Sequence, residues 1–141
     1  MSEENVEIVR QVFESGSGLV GPLLQGAEPF EHPWWSLWHP ECVIEELADV
    51  PGAASHSGRA GVASYFQQVG ELFDEVTYTP HEIIDGKDGV IAVTDMSGRS
   101  KAGVDVQMRI LQVFRLQEGA IIYVTAYLDR DQALKAVGLE E

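Results

Sequence analysis

The stretch VDVQMRILQVFRL, residues 104–116, decides the fold. Successive side chains of an extended strand point to opposite faces, so its residues sort into two sets. Val104, Val106, Met108, Ile110, Gln112, Phe114 and Leu116 share one face, and six of these seven are apolar. That period of two predicts a strand with this face buried. The opposite face reads Asp105, Gln107, Arg109, Leu111, Val113 and Arg115, charged at its ends and apolar at its centre. Such a face suits a surface that covers its middle by self-association. Gln112 is the exception on the buried face. An amide there needs partners, because leaving it without them costs about 1–3 kcal/mol. A neighbouring side chain, a water or a ligand must supply them.

Outward from this strand the same period continues. Strands are expected over 76–84, 90–97 and 120–128, joined by Asp85-Gly86-Lys87-Asp88-Gly89, a loop from Gly98 to Gly103, and Gln117-Glu118-Gly119. Short connections of this chemistry favour an antiparallel meander. In the last strand Ile122, Val124, Ala126 and Leu128 should join the interior, with Tyr123, Thr125 and Tyr127 facing away. A final helix is expected from Asp129, which has capping-box spacing to Gln132, to Gly138.

Upstream the period is helical. Val6, Val9, Val12 and Phe13, widened by Ile8, predict a helix over 3–15 that Ser15-Gly16-Ser17-Gly18 stops. Val62, Tyr65, Phe66, Val69, Leu72 and Phe73 predict a second one, with Gln67, Gln68 and Glu71 facing away. Between them, Leu19, Val20, Leu23 and Leu24 suggest a short helical turn, which Pro22, Gly26 and Pro29 break. Trp34, Trp35 and Trp38 are spaced for one face of a short helix, either plugging the end of the core or closing over a ligand. A strand is expected over 42–48, followed by a turn-rich loop through Pro51-Gly52, Ser55 and Ser57-Gly58. Its consecutive Glu45 and Glu46 must face opposite ways, and periodicity does not choose which points inward. The fold class is therefore α+β, one domain over 1–141, with helices in the first half, a twisted sheet in the second and a pocket between the layers.

Composition narrows the function. Nine basic against 23 acidic residues give a net charge of −14. That field repels a phosphate backbone or an anionic membrane surface, so neither nucleic acid nor membrane is an expected partner. A lone Cys42 permits no intramolecular disulfide, and no segment has the length and apolarity of a signal peptide or membrane span, so a cytoplasmic location is expected. His32, His39, His56 and His81 lack metal-ligand spacing, and the glycine-rich segments lack a phosphate-loop pattern. No metal or cofactor is expected. Asp95, Arg99, Lys101 and Asp105 flank one hairpin and are read as solvated ion pairs. Arg59, at a helix start, is read as an anchor for the preceding loop.

The order of elements resembles the nuclear-transport-factor-two-like superfamily, in its SnoaL-like, polyketide-cyclase-like branch. The resemblance is carried by Asn5-Val6-Glu7-Ile8-Val9-Arg10, His39-Pro40-Glu41, Ser57-Gly58-Arg59-Ala60-Gly61-Val62, Glu118-Gly119 followed by Ile121, and Ala126-Tyr127-Leu128-Asp129-Arg130. It implies a cone-shaped fold, with a curved, mostly antiparallel sheet packed on the N-terminal helices and a pocket between. Ketosteroid isomerases of this superfamily place an aspartate base where Glu46 stands, so the resemblance selects Glu46 as the inward carboxylate. Their acidic oxyanion donor, and an acid of the polyketide cyclases, fall on Gln112, which donates a hydrogen bond but transfers no proton. The isomerase tyrosine falls on Val12, and the acid and arginine positions of limonene-epoxide-hydrolase-like members fall on Gly98, Ala126 and Met96.

The candidate catalytic residues are therefore Glu46 and Gln112, and an apolar setting would raise the Glu46 pKa into the range of a general base. Trp35, Trp38, Phe66, Met108, Ile110 and Phe114 are the candidate ligand contacts. The expected function is binding of a small, largely apolar molecule in an enclosed pocket, with cofactor-free isomerase, cyclase or hydrolase-like chemistry. The alternative is a non-catalytic binding or assembly module with a vestigial pocket. A homodimer through the outer sheet face, centred on Leu111 and Val113, is expected.

Overall fold

The computed structural model describes residues 2–16, 33–46 and 55–139. Helix α1 (Ser2–Gly16) and a 3-10 turn (Pro33–Leu37) lead into strand β1 (Trp38–Glu45). Strand β2 (Ser55–Ser57) runs directly into helix α2 (Gly58–Leu72). The meander follows as β3 (Phe73–Asp85), β4 (Val90–Ser100), β5 (Asp105–Gln117) and β6 (Ala120–Tyr127), and helix α3 (Arg130–Ala136) closes the described chain. The expected turn at 19–24, the strand end at 47–48, the Pro51-Gly52 loop and His32 lie outside the described residues.

The six strands form one sheet in the order β2-β1-β6-β5-β4-β3. All neighbours are antiparallel except β1 and β6. The expected α+β class and mostly antiparallel sheet are what the chain adopts. At the β5–β6 turn both Glu118 (φ 53°) and Gly119 (φ 78°) have positive φ, the backbone that matches a two-residue turn to strand twist.

Strand β1 begins at Trp38, four residues before the expected start, and carries Pro40 internally. Pro40 offers no N–H to a ladder, and the β1–β6 register shifts between Trp38 and Val43, where that loss is absorbed. Residues 55–57, expected as loop, pair with β1, setting His56 opposite Ile44. Arg59, read as an anchor, donates from Nε (3.1 Å) and Nη2 (2.8 Å) to the Trp38 carbonyl, fixing the start of α2 on the start of β1.

Two apolar clusters lie on the two sheet faces. The inner one joins Val9 and Val12 of α1, the three tryptophans, Ile44, Val62, Val90, Ala92, Phe114, Ile121 and Val124. Gly16 makes this packing possible: a Cβ there would meet the Trp34 indole nitrogen at 2.6 Å. That nitrogen donates to the Val12 carbonyl at 3.0 Å. Ile121, rather than the expected Ile122, takes the inner place, because the β5–β6 register shifts between Arg115 and Leu116. Leu128 is exposed.

The outer cluster corrects a second expectation. Leu111 is 5% exposed and Val113 fully buried, packed with Ile91, Val93 and Ala133 and Val137 of the C-terminal segment. The chain's own last helix covers the apolar centre of β5, so a homodimer no longer has these residues as its driving force. Asp129 caps α3 by accepting from the Asp131 N–H (2.8 Å). Gly138 (φ 79°) ends it, with Gly138 N–H on the Lys135 carbonyl and Leu139 N–H on the Leu134 carbonyl. The Asp88 N–H donates to the Val137 carbonyl, tying the helix end to the β3–β4 hairpin.

The inner face of β5 is not uniformly buried. Ile110 and Phe114 are covered, whereas Val104 and Met108 are exposed. Helix α2 stops at Leu72, whose carbonyl accepts from the Lys101 N–H of the β4–β5 hairpin. Beyond that point no described helix lies over the strand.

Candidate active site

Between α1, α2 and the inner sheet face lies a cavity of about 380 Å³. Its walls are mostly apolar: Val12, Phe13, Trp34, Trp38, Ile44, Phe66, Val69, Val76, Met96, Met108, Ile110, Phe114 and Val124 contribute. Of the six expected ligand contacts, Trp38, Phe66, Met108, Ile110 and Phe114 stand on this wall, and Trp35 does not. Trp34, in the 3-10 turn, takes its place beside Trp38 at the start of β1. Trp35 packs behind, edge-on to Trp34 at 4.8 Å. All three rings are buried, so they form wall and core rather than a lid.

Glu45, Glu46, Tyr65, Gln68, Thr77, Tyr78, Gln112 and Thr125 interrupt the apolar wall, and four of them belong to three polar pairs. Glu46, just past the end of β1, meets His56 of β2: its Oε2 accepts from the imidazole Nε2 at 3.0 Å. His56 is 8% exposed and Glu46 38%, so the carboxylate is reachable while the imidazole that orients it is packed away. The antiparallel pairing of Ile44 with His56 brings the two together. The His56 ring also lies edge-on to Tyr65, 5.7 Å away.

Tyr65 of α2 and Tyr78 of β3 form the second pair, and the signs of their mutual effects make Tyr78 the donor to Tyr65. Burial pushes the Tyr65 phenol upward from its ordinary 10.0, the nearby Glu46 charge adds to this, and the hydrogen bond from Tyr78 partly offsets it. Burial pushes Tyr78 upward too, reinforced by Tyr65. Both hydroxyls therefore stay protonated at neutral pH, and the Tyr65 O–H is available as a donor.

In the third pair Gln112 Oε1 accepts from the Thr94 hydroxyl at 2.8 Å, while the same hydroxyl lies 3.1 Å from the Ala92 carbonyl. Thr94 answers the carbonyl end of the amide, and among the described residues the Nε2 end meets no acceptor. Both Glu46 and Gln112 line the cavity, together with Tyr65 and Tyr78.

The sequence reading missed His56, Tyr65 and Tyr78 as site residues. Tyr65 falls on an apolar helical stripe, and Tyr78 alternates with exposed threonines in β3. A phenol among aliphatic residues at core spacing was the available signal, since a buried hydroxyl needs a partner. Cys42 is fully buried beside Arg59, and burial pushes its thiol upward, so it is no nucleophile for this cavity. The pairs Asp95–Arg109 (2.9 Å), Arg99–Asp105 (3.4 Å) and Lys101–Asp74 (3.0 Å) are exposed and lie outside the site. Among the described residues no group of three His, Cys, Asp or Glu could hold a metal ion, and no helix is long and apolar enough to cross a membrane.

The chain is similar to several solved structures. An NTF2-like protein of unknown function from Burkholderia pseudomallei shares 14% identity at a TM-score of 0.71, covering 96% of this chain and 98% of that one. A putative SnoaL-like polyketide cyclase from Jannaschia shares 15% at 0.69, covering 99% and 95%. TerC, co-crystallised with polyporic acid, shares 14% at 0.69, covering 95% and 98%. No curated protein matches. These identities carry the fold alone. The model of the SnoaL-like domain matches residues 32–124, well over half of the chain, from the tryptophan turn to the wall residue Val124. This protein belongs to the SnoaL-like domain family.

Proposed function

We propose that the protein binds a small, largely apolar molecule bearing one carbonyl or hydroxyl group and moves a proton on it, in isomerase- or cyclase-type chemistry. One observation carries this reading: a mostly apolar cavity that brings the reachable Glu46 carboxylate together with Tyr65, Tyr78 and Gln112. Such a cavity grips a hydrocarbon frame by burial and orients it by few polar contacts. Glu46 is the base. His56 holds Oε2, leaving Oε1 to take a proton from a carbon next to a carbonyl. Negative charge then develops on the carbonyl oxygen, where Tyr65 or the Gln112 amide donates a hydrogen bond. The similarity to a putative SnoaL-like polyketide cyclase and to TerC with polyporic acid supports a small organic ligand.

A second reading, binding without catalysis, rests on Gln112 and Val12, which stand where isomerases of this superfamily carry an acid and a tyrosine. One experiment separates the two. β-Tetralone, a flat ketone with acidic C–H bonds, is incubated with the protein in heavy water and its deuterium uptake followed by NMR. Proton transfer predicts uptake well above the buffer rate, reduced by roughly 10²–10⁴-fold in Glu46→Gln. Binding without uptake selects the second reading, and neither binding nor uptake removes the pocket as the site.

A further inference from the structure

We propose that the cavity is the closed end of a longer track, and that the ligand is an amphiphile whose linear alkyl tail lies outside, along the start of β5. This rests on the proposed small-molecule function and specifies its ligand class. Among the described residues four large apolar side chains are exposed, and three gather at one place: Leu72 at 66%, Val104 at 58% and Met108 at 36%. Met108 and Leu72 also line the cavity, so the exposed patch and the cavity wall are continuous.

The geometry is that of a floor running out through a doorway. Val104, Val106, Met108, Ile110 and Phe114 alternate onto one face of the chain, the inner four-residue step from Ile110 to Phe114 lying inside the cavity. At about 3.4 Å per residue, Val104 to Met108 adds roughly 13 Å of apolar floor outside it. The patch stays in place because the end of α2 is tied to the β4–β5 hairpin through Lys101 N–H and the Leu72 carbonyl. The Val104 N–H is itself held by the Ser100 hydroxyl at 3.1 Å. The cavity alone is small, near the lower end of the range for small-molecule sites.

A narrow strip with one end in a cavity fits a tail better than a protein. A stable partner interface takes roughly 800 Å² from each side, far more than these few side chains present. The floor between doorway and Gln112 carries no charged side chain, whereas Glu46, Tyr65, Tyr78 and Gln112 line the cavity. A ligand with its polar group inside and its alkyl chain outside matches that order; the reverse orientation would bury the alkyl end against Glu46.

The test uses para-alkylphenols with methyl, butyl, hexyl and octyl tails, titrated into the full-length protein by calorimetry. Affinity should rise about two- to threefold per methylene beyond the length that fills the cavity. In a Val104→Ser, Val106→Ser double variant, both sites lying outside the cavity wall, the gain for hexyl and octyl tails should disappear while p-cresol binds as before. Equal gains in the variant, or affinity that stops rising once the cavity is full, would overturn the tail track and leave the pocket reading intact. If sedimentation shows a dimer that the double variant dissociates, with alkyl gains unchanged, a second copy covers the strip and the proposal fails. Absence of binding by every phenol would overturn the pocket reading itself.

Discussion

The two faces of β5 carry almost the same kind of side chain and end in opposite conditions. On the outer face Leu111 and Val113 are sealed by a helix of seven residues, whose Ala133 sits close because it is small. On the inner face Ile110 and Phe114 look onto a cavity, because the facing layer holds the sheet at a distance with large rings. A cavity is thus a property of what stands opposite a strand. The same alternation that builds a core on one side leaves a binding site on the other.

The sharpest way to break this comparison is to put a charge on each face. Leu111→Glu buries an unpaired carboxylate under α3 and should cost of order 3–5 kcal/mol, read by urea denaturation. Met108→Glu, on an exposed wall, should leave the midpoint nearly unchanged. If the Leu111 variant is as stable as the parent and merely dissociates an oligomer, the outer face is a partner surface after all. Next in size is Gly16→Val. Its side chain displaces the Trp34 indole and breaks the bond to Val12, so we expect a loss of about 1–3 kcal/mol and a red-shifted tryptophan emission.

Smaller effects sharpen the picture of the cavity. Gln112→Leu should change stability by no more than about 1 kcal/mol, since the Thr94 hydroxyl keeps the Ala92 carbonyl. A collapse of the fold in that variant would make Gln112 a structural keystone rather than a cavity residue. The last effect is alkaline. Tyr65 and Tyr78 have folded pKa values raised above the ordinary 10.0, so their contribution is fully present below that value. As pH rises through it the unfolded phenols ionise first, and stability should fall from there toward the folded values. Tyr65→Phe/Tyr78→Phe should flatten that decline in pH-dependent melting curves; an unchanged slope would assign it to other groups.

The legible parts were those with a strong period. Val6, Val9 and Val12 marked α1, the Val62–Val69 stripe marked α2, and the meander and its turns followed from alternation and from Glu118-Gly119. Gln112 stood out because it alone was polar on an apolar face. Glu46 was chosen over Glu45 only through a family resemblance, because adjacent strand residues are equivalent to a pattern. His56 stayed hidden because its three-residue strand is too short for any period and forms only by pairing with β1.

By itself the sequence determined the helices, the long strands, their order, the turns between them and which side chains could share a face. These depend on local backbone chemistry and on the spacing of apolar residues, which a chain carries before it folds. Only the tertiary structure decided that α3 covers Leu111 and Val113, that Trp34 rather than Trp35 meets the cavity, and that Glu46, His56, Tyr65 and Tyr78 come together. Those facts depend on distances between residues far apart in the chain, on one bulge that turns Ile121 inward, and on where α2 stops. No local pattern encodes them, because each arises when two separately specified surfaces meet.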